Sequence, residues 1–347
     1  MFAYFPASLA QGFFAFERKG EGMRLERYVE MLEGAWRERL KGREPAETLY
    51  TPISDFLGRG GKRLRPCLCL LACEFVGGDA EKALPTALSV ELFHNFSLVH
   101  DDIEDGSVLR RNQPTLHIKY GLPIAVNAGD ALYALCLETL CENERLLGVE
   151  RAWRIFCEIA ALGVVLAEGQ ALDMRFKQTK QMSIEEVLLL LRKKTGRLFA
   201  VSAACGAIAG GAPYELASLL GEAWESIGVA FQVRDDVLNL KGEERAYGKR
   251  IGEDISEGKP TLILVHCLQR CSQEEKQRIL AAIGEYDAEK IADAVEIIEK
   301  HRSIEFAEKI ADDFLHKGLE TLKKLEGNES VKAEMEEFAR FFVERVR

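Results

Sequence analysis

Two acidic clusters hold the residues best suited to chemistry. The first is Asp101-Asp102-Ile103-Glu104-Asp105, which closes a long apolar run and is followed by Arg110-Arg111. The second is Asp235-Asp236-Val237-Leu238-Asn239, again inside an apolar run. Each sets two adjacent carboxylates and, three residues on, a further oxygen donor. On a helix, positions i and i+4 share a face and i+1 lies about 100° round. Each cluster therefore offers several hard oxygen ligands in one direction. One cluster alone reads equally well as a solvated acidic patch. Two clusters on helices that favour burial call for a cation between them, because buried charge without a partner is costly. Oxygen ligands select hard cations, and Mg²⁺ takes one or two carboxylates together with phosphate oxygens.

A basic stretch supplies the opposite charge: Gly58-Arg59-Gly60-Gly61-Lys62-Arg63-Leu64-Arg65-Pro66. Glycine lets backbone approach a ligand closely. Amide groups and cationic side chains at a helix start suit a phosphate or diphosphate. The same residues would serve as a plain basic loop between helices. Pro66 fits the first turn of the following helix, and the spacing is not that of a P-loop. Arg110, Arg111, Lys194, Lys249 and Lys259 add cations beyond what one phosphate group requires, enough for two diphosphates in one cleft. His94, about two turns before Asp101, either packs in the core or points into the same cleft. No nucleophile elbow or catalytic cysteine signature is present. The protein's part would be electrostatic: stabilising a departing diphosphate and excluding water.

Apolar periodicity places these residues on helices. Met23 to about Leu40 is amphipathic through Leu25, Tyr28, Val29, Leu32 and Trp36, and a short helix covers Ala46 to Leu57. Leu68 to Val76 and Leu84 to Asp105 follow, the latter carrying the first acidic cluster. Asn112 and Pro114 mark a loop, and helices run from Gly129 to about Cys141 and from Ala152 to Asp173. Ser183 reads as an N-cap. The glycines and alanines of 200–212 predict close helix packing, and Pro213 opens the helix bearing the second cluster. Lys241 to Lys259 is a polar loop, and helical patterns fill the remainder. There is no period-2 alternation and no Asn-Gly hairpin signal. No linker divides the chain, so one all-α domain is expected over 23–347. Residues 1–22 form an aromatic-rich extension that is disordered, packs on a partner, or precedes a start at Met23.

Bulk properties narrow the setting. The 347 residues carry a net charge of -10, which gives no basic field for nucleic acid. No apolar stretch reaches the ~18 residues of a membrane span, so no transmembrane segment is expected. The nine cysteines include no CxxC and lie among Leu, Ala and Val. They read as small buried hydrophobes in a reduced, cytoplasmic compartment.

Several motifs, in order, resemble those of trans-type polyprenyl diphosphate synthases across roughly residues 23 to 345. They are Gly60-Gly61-Lys62-Arg63-Leu64-Arg65-Pro66, His100-Asp101-Asp102-Ile103-Glu104-Asp105 with Arg110-Arg111, Lys194-Thr195-Gly196, Phe231-Gln232-Val233-Arg234-Asp235-Asp236, Gly252-Glu253-Asp254-Ile255 and Gly258-Lys259-Pro260-Thr261. The resemblance implies an all-α, single-domain isoprenoid synthase-type bundle around a central cleft. It implies head-to-tail (1'-4) condensation of isopentenyl diphosphate with an allylic diphosphate, commonly by a homodimer. Mg²⁺ would sit on Asp101, Asp105 and Asp235, supported by Asp102 and Asp236, with Asn239 where many relatives carry Asp. Arg110, Lys194, Thr195, Gln232, Lys249 and Lys259 would complete the allylic site. Lys62, Arg65, His94 and Arg111 would hold isopentenyl diphosphate. Phe96, five residues before Asp101, with Ser97 beside it and no insertion in the motif, resembles archaeal-type geranylgeranyl diphosphate synthases, which make a twenty-carbon product. Phe93 is the alternative floor, and farnesyl or longer products are the rivals. A class I terpene cyclase would not need the second diphosphate site. A non-catalytic subunit of a heteromeric synthase would have lost aspartates or basic residues that this chain keeps.

Overall fold

Helix caps and apolar stripes set most boundaries in the computed structural model, which describes residues 22–241, 251–284 and 286–344. The extension through residue 21 and the predicted site residue Lys249 lie outside the described residues. The chain divides into two units. One runs to Ile159 and includes Ser202–Ala217 and Gly327–Glu334; the other comprises Ala160–Val201, Ser218–Glu326 and the chain from Met335.

In the first unit, α1 (Gly22–Leu40), α2 (Thr51–Gly58), α3 (Leu64–Phe75) and α4 (Ala80–Glu104) come in order. A π-helical turn, Ala46–Tyr50, leads into α2. The first acidic cluster ends α4. That helix starts four residues before its apolar run because Asp79 caps it, accepting from the Glu81 backbone N–H at 2.9 Å. Further on are α5 (Leu116–Lys119), α6 (Leu122–Leu140) and α7 (Glu142–Leu147). α4 packs along both α3 and α6, and Val90, Leu92 and Phe93 of α4 and Leu132, Leu135 and Cys136 of α6 are buried. Each such side chain contributes about 1.5–3 kcal/mol on burial. Gly129 does not start α6, as the sequence predicts. Gly121 (φ 89) and Pro123 do that, and Gly129 instead leaves room for the His100 ring.

Between α4 and α5 the sequence predicts only a loop. A small hairpin forms there: β1 (Leu109–Arg110) pairs antiparallel with β2 (Gln113–Pro114). Arg111 (φ 52) and Asn112 (φ 59) are both left-handed, the geometry of a two-residue I′ turn. The usual Asn-Gly signal is missing because an arginine takes the first turn position, at a cost of roughly 1–2 kcal/mol.

The remaining helices are α8 (Val149–Thr179), α9 (Ile184–Leu191), α10 (Arg197–Gly210), α11 (Tyr214–Lys241), α12 (Glu253–Ser256), α13 (Leu262–Arg270), α14 (Gln273–Ala281), α15 (Ala288–Lys300), α16 (Ser303–Lys324) and α17 (Glu329–Glu344). Ser183 and Glu186 cap α9 reciprocally. The second unit's core gathers Phe176, Val187, Val229, Val233, Val237, Leu262 and Ile298. In the first unit, Gly206 and Gly210 of α10 lie against the α3 backbone at Cys69 and Cys73, the close packing expected of 200–212.

Two stretches, Leu122–Leu147 and Val149–Thr179, are long and apolar enough to cross a membrane by length and composition, contrary to the sequence expectation. The sequence reading required an uninterrupted apolar run, whereas these windows carry up to two charges. In the first stretch 44% of the window is buried, mostly against α4. Only 22% of the second is buried, and its exposed residues include Val149, Trp153 and Phe156. The Trp153 and Phe156 rings stack 5.8 Å apart. All nine cysteines are free, and Cys67, Cys69, Cys73, Cys136, Cys205 and Cys267 are buried.

Candidate active site

The basic motif splits into two groups. Lys62 is exposed and Arg65 half-buried, whereas Arg63 is turned inward. Arg65 Nη1 lies 3.3 Å from His94 Nε2. An arginine can only donate, so that nitrogen accepts and the ring is neutral. Burial drives the His94 pKa well below its usual value, with Arg65, Arg111, Arg110 and Arg63 adding repulsion. Arg111 joins this group through the hairpin: its Nη1 donates to the Gly60 carbonyl. A Cβ on Gly61 (φ +137) would stand 2.8 Å from Arg111 Nη2, so only glycine fits. Burial pushes Arg65 down to about 10, opposed by Glu91 and reinforced by Arg111. Burial likewise pushes Arg111 down to about 10, again opposed by Glu91, with Arg63, Arg110 and Arg59 adding to the fall. Crowded guanidiniums that resist their own charge make a nest suited to an anion.

At the end of α4, Asp101 and Asp105 are half-buried and Asp102 is only 1% exposed. Arg110 Nε donates to Asp102 Oδ1 at 2.6 Å, and Asp102 Oδ2 is buried without a hydrogen-bond partner among the described residues. Burial raises the Asp102 pKa, Arg110 opposes it and Asp101 adds to the rise. The carboxylate thus anchors Arg110 and keeps one oxygen for another cation.

In the second unit, a π-helical turn covers Arg192–Gly196; such turns often mark functional sites. Lys194 donates to Asp173 Oδ2 at 2.6 Å. Thr195 Oγ1 donates to Gln232 Oε1 at 3.1 Å, and Gln232 Nε2 donates to Asp236 Oδ1 at 3.0 Å. Asp235 lies beside Asp236 on α11. Burial raises the Asp236 pKa strongly; Asp254 and Asp235 push it further, against Gln232 and Lys259. Lys259 binds Asp254 at 2.8 Å and Glu257 at 2.5 Å. Against the burial that would lower its pKa, those two carboxylates hold it well above its usual value. The Asn239 carboxamide oxygen accepts from the Asp254 backbone N–H at 3.2 Å, and its Nδ2 has no partner among the described residues. An aspartate there would put a further negative charge beside Asp254 and Asp236.

The predicted chain-length residues form an aromatic cluster in the first unit. Phe93 is fully buried, and Phe96 is half-buried with Phe93 at 5.4 Å, His100 at 5.1 Å and Tyr133 of α6 at 5.1 Å. Ser97 Oγ donates to the His94 carbonyl at 2.8 Å.

A model of the polyprenyl synthetase family matches residues 46–300. The chain belongs to this family. The short chain isoprenyl diphosphate synthase of Methanothermobacter thermautotrophicus is 37% identical over 92% of this chain and 97% of its own. The geranylgeranyl diphosphate synthase of Saccharolobus solfataricus is 37% identical over 86% of this chain and 91% of its own. A geranylfarnesyl diphosphate synthase of Aeropyrum pernix reaches 34% over 83% and 91%. Among solved structures, the geranylgeranyl pyrophosphate synthetase of Pyrococcus horikoshii superposes with a TM-score of 0.88 at 35% identity, covering 93% of this chain and 98% of that one. A geranylgeranyl pyrophosphate synthase of Corynebacterium glutamicum, complexed with isoprenyl diphosphate and magnesium, gives 0.83 at 27% identity, covering 93% and 98%.

As a polyprenyl synthetase the chain has the all-α isoprenoid synthase fold, and its donors suit a divalent cation. The unpartnered Asp102 oxygen and the crowding of Asp236 by Asp235 and Asp254 both leave negative charge to be met. Among the described residues, no three His, Cys, Asp or Glu side chains form a ready-made metal nest. Mg²⁺, which keeps waters and takes phosphate oxygens, does not require one. Sequence reasoning gave no role to Asp173, Asp254 or Tyr133. The first two bind predicted site lysines, and the signal was present as acids in polar helix ends. Tyr133 sits in an apolar stretch with no local mark of a role.

Proposed function

We propose that this polyprenyl synthetase joins isopentenyl diphosphate head-to-tail (1'-4) to an allylic diphosphate, with Mg²⁺ as its metal and geranylgeranyl diphosphate as its end product. The observation that carries this reading is the nest of Arg65, His94 and Arg111, a diphosphate site additional to the one at the acidic motifs. A cyclase that only ionises one diphosphate has no use for it.

Lys62, Arg65, His94 and Arg111 hold isopentenyl diphosphate. Asp101, Asp105 and Asp235 ligate the metal, Asp102 and Asp236 support them, and Asn239 adds an uncharged oxygen. Arg110, Lys194, Thr195, Gln232, Lys249 and Lys259 bind the allylic diphosphate. Bound magnesium would stabilise the charge that develops on the leaving diphosphate. The allylic C–O bond breaks, its electron pair leaving with the diphosphate. The alkene of isopentenyl diphosphate attacks the cation, and the proton lost from the adduct goes to the released diphosphate. The neutral His94 and the paired lysines offer no strong base to quench the cation. Phe96 and Tyr133 stop the growing tail at twenty carbons. Farnesyl and longer products remain the alternatives that product analysis separates. The working form is a cytoplasmic homodimer.

Asp101→Ala and Asp235→Ala are each expected to cut elongation of geranyl diphosphate by about a thousandfold, the worth of several kcal/mol of metal stabilisation. Elongation at wild-type rate in either variant, measured with labelled isopentenyl diphosphate, sinks the metal assignment.

A further inference from the structure

One buried carboxylate lies behind the anion nest. Glu91, in the middle of α4, is 3% exposed. Arg63 Nη1 donates to its Oε1, and Asn95 Nδ2 donates to the same oxygen at 2.7 Å. Arg63 is itself 4% exposed and held in a left-handed conformation (φ 45) at the start of α3. The rest of its guanidinium is spent on Glu33 at 2.9 Å and on the Leu57 carbonyl at 2.5 Å. Arg63 therefore faces carboxylates rather than a ligand, although it sits between Lys62 and Arg65 in sequence.

Glu91 also acts beyond its contacts. Its charge supports the cationic forms of Arg63, Arg65 and Arg111. Asn95 and Arg63 fix its position from two sides. Resting on the isopentenyl diphosphate assignment above, we infer that Glu91 and Arg63 form a positioning pair that holds Arg65 and Arg111 in register for the homoallylic diphosphate. Neither side chain touches the substrate. Glu91 keeps mutually repelling guanidiniums together before the anion arrives, and Arg63 pins the backbone from which Arg65 projects. Such preorganisation lowers the cost of ordering the site on binding.

The test is calorimetric titration of the full chain with isopentenyl diphosphate in EDTA and, separately, with geranyl diphosphate in magnesium. Glu91→Gln is expected to raise the isopentenyl diphosphate Kd about tenfold, the scale of one charge-assisted interaction. The geranyl diphosphate Kd should stay within about twofold. Arg63→Lys keeps the charge beside Glu91 but loses the fork, and should weaken isopentenyl diphosphate binding severalfold; it carries the test if Glu91→Gln does not fold. Unchanged isopentenyl diphosphate affinity in a folded variant overturns the inference and leaves the proposed function standing. Equal weakening of both probes also overturns it, since that is what a merely structural pair would give. A wild type that does not bind isopentenyl diphosphate rejects the functional reading, and the inference with it.

Discussion

Arg65 and Arg111 each sit near a pKa of about 10, which makes the nest pH-sensitive from the alkaline side. Burial depresses both below the usual guanidinium range, with Glu91 opposing and Arg63, Arg110 and Arg59 among the surrounding cations. A cationic group with a lowered pKa loses its proton as pH rises through that value. The KM for isopentenyl diphosphate is therefore expected to climb as pH approaches 10. His94 stays neutral, so a break at about pH 6 belongs to the diphosphate of the substrate, whose last proton leaves there. A KM profile flat through pH 10 contradicts the nest. The residue types here were legible: arginines after glycines announce an anion. Their division of labour was not. Arg63 and Arg65 carry the same charge two positions apart, and only the left-handed backbone at Arg63 turns one inward and leaves the other at the nest.

The long helices were legible as elements because apolar periodicity and caps report burial directly. Ser183 marked the start of α9, whereas α4 and α6 begin earlier than predicted, at Asp79 and at Gly121 with Pro123. The hairpin at Arg111-Asn112 escaped because it carries an arginine and an asparagine where the turn favours Asn-Gly. On the proposed function, product length is set by residues of the helix pair α4 and α6. Phe96 lies between Phe93 below and Tyr133 across. Phe93, fully buried, lies against it. Phe96→Ala is expected to move the main product at least one isoprene unit beyond twenty carbons, and adding Tyr133→Ala should extend it again. Chromatography of the dephosphorylated alcohols reads both. An unchanged spectrum in Phe96→Ala removes Phe96 as the floor.

At the scale of the whole molecule, the proposed reaction rests on two acidic motifs more than a hundred residues apart, both picked out in the sequence by residue type and spacing. What the sequence did not disclose is how each motif is braced. Asp102 is tied to Arg110, Asp236 to Gln232, and Asn239 to the backbone of Asp254. Those partners arise from packing rather than from local pattern. The exposed Trp153–Phe156 stack on a helix only partly covered by its own chain supports the proposed homodimer, since monomers rarely leave such apolar faces open. Trp153→Asp is expected to shift sedimentation toward the monomer, and a wild type that sediments as a monomer refutes the assembly. The central claim is tested most directly by product analysis. The purified protein is incubated with Mg²⁺, labelled isopentenyl diphosphate and dimethylallyl diphosphate, and the dephosphorylated alcohols are sized. The account predicts a ladder that ends at geranylgeraniol and vanishes in EDTA. Absence of elongation contradicts prenyl transfer itself, and a ladder ending at fifteen or twenty-five carbons contradicts the floor at Phe96.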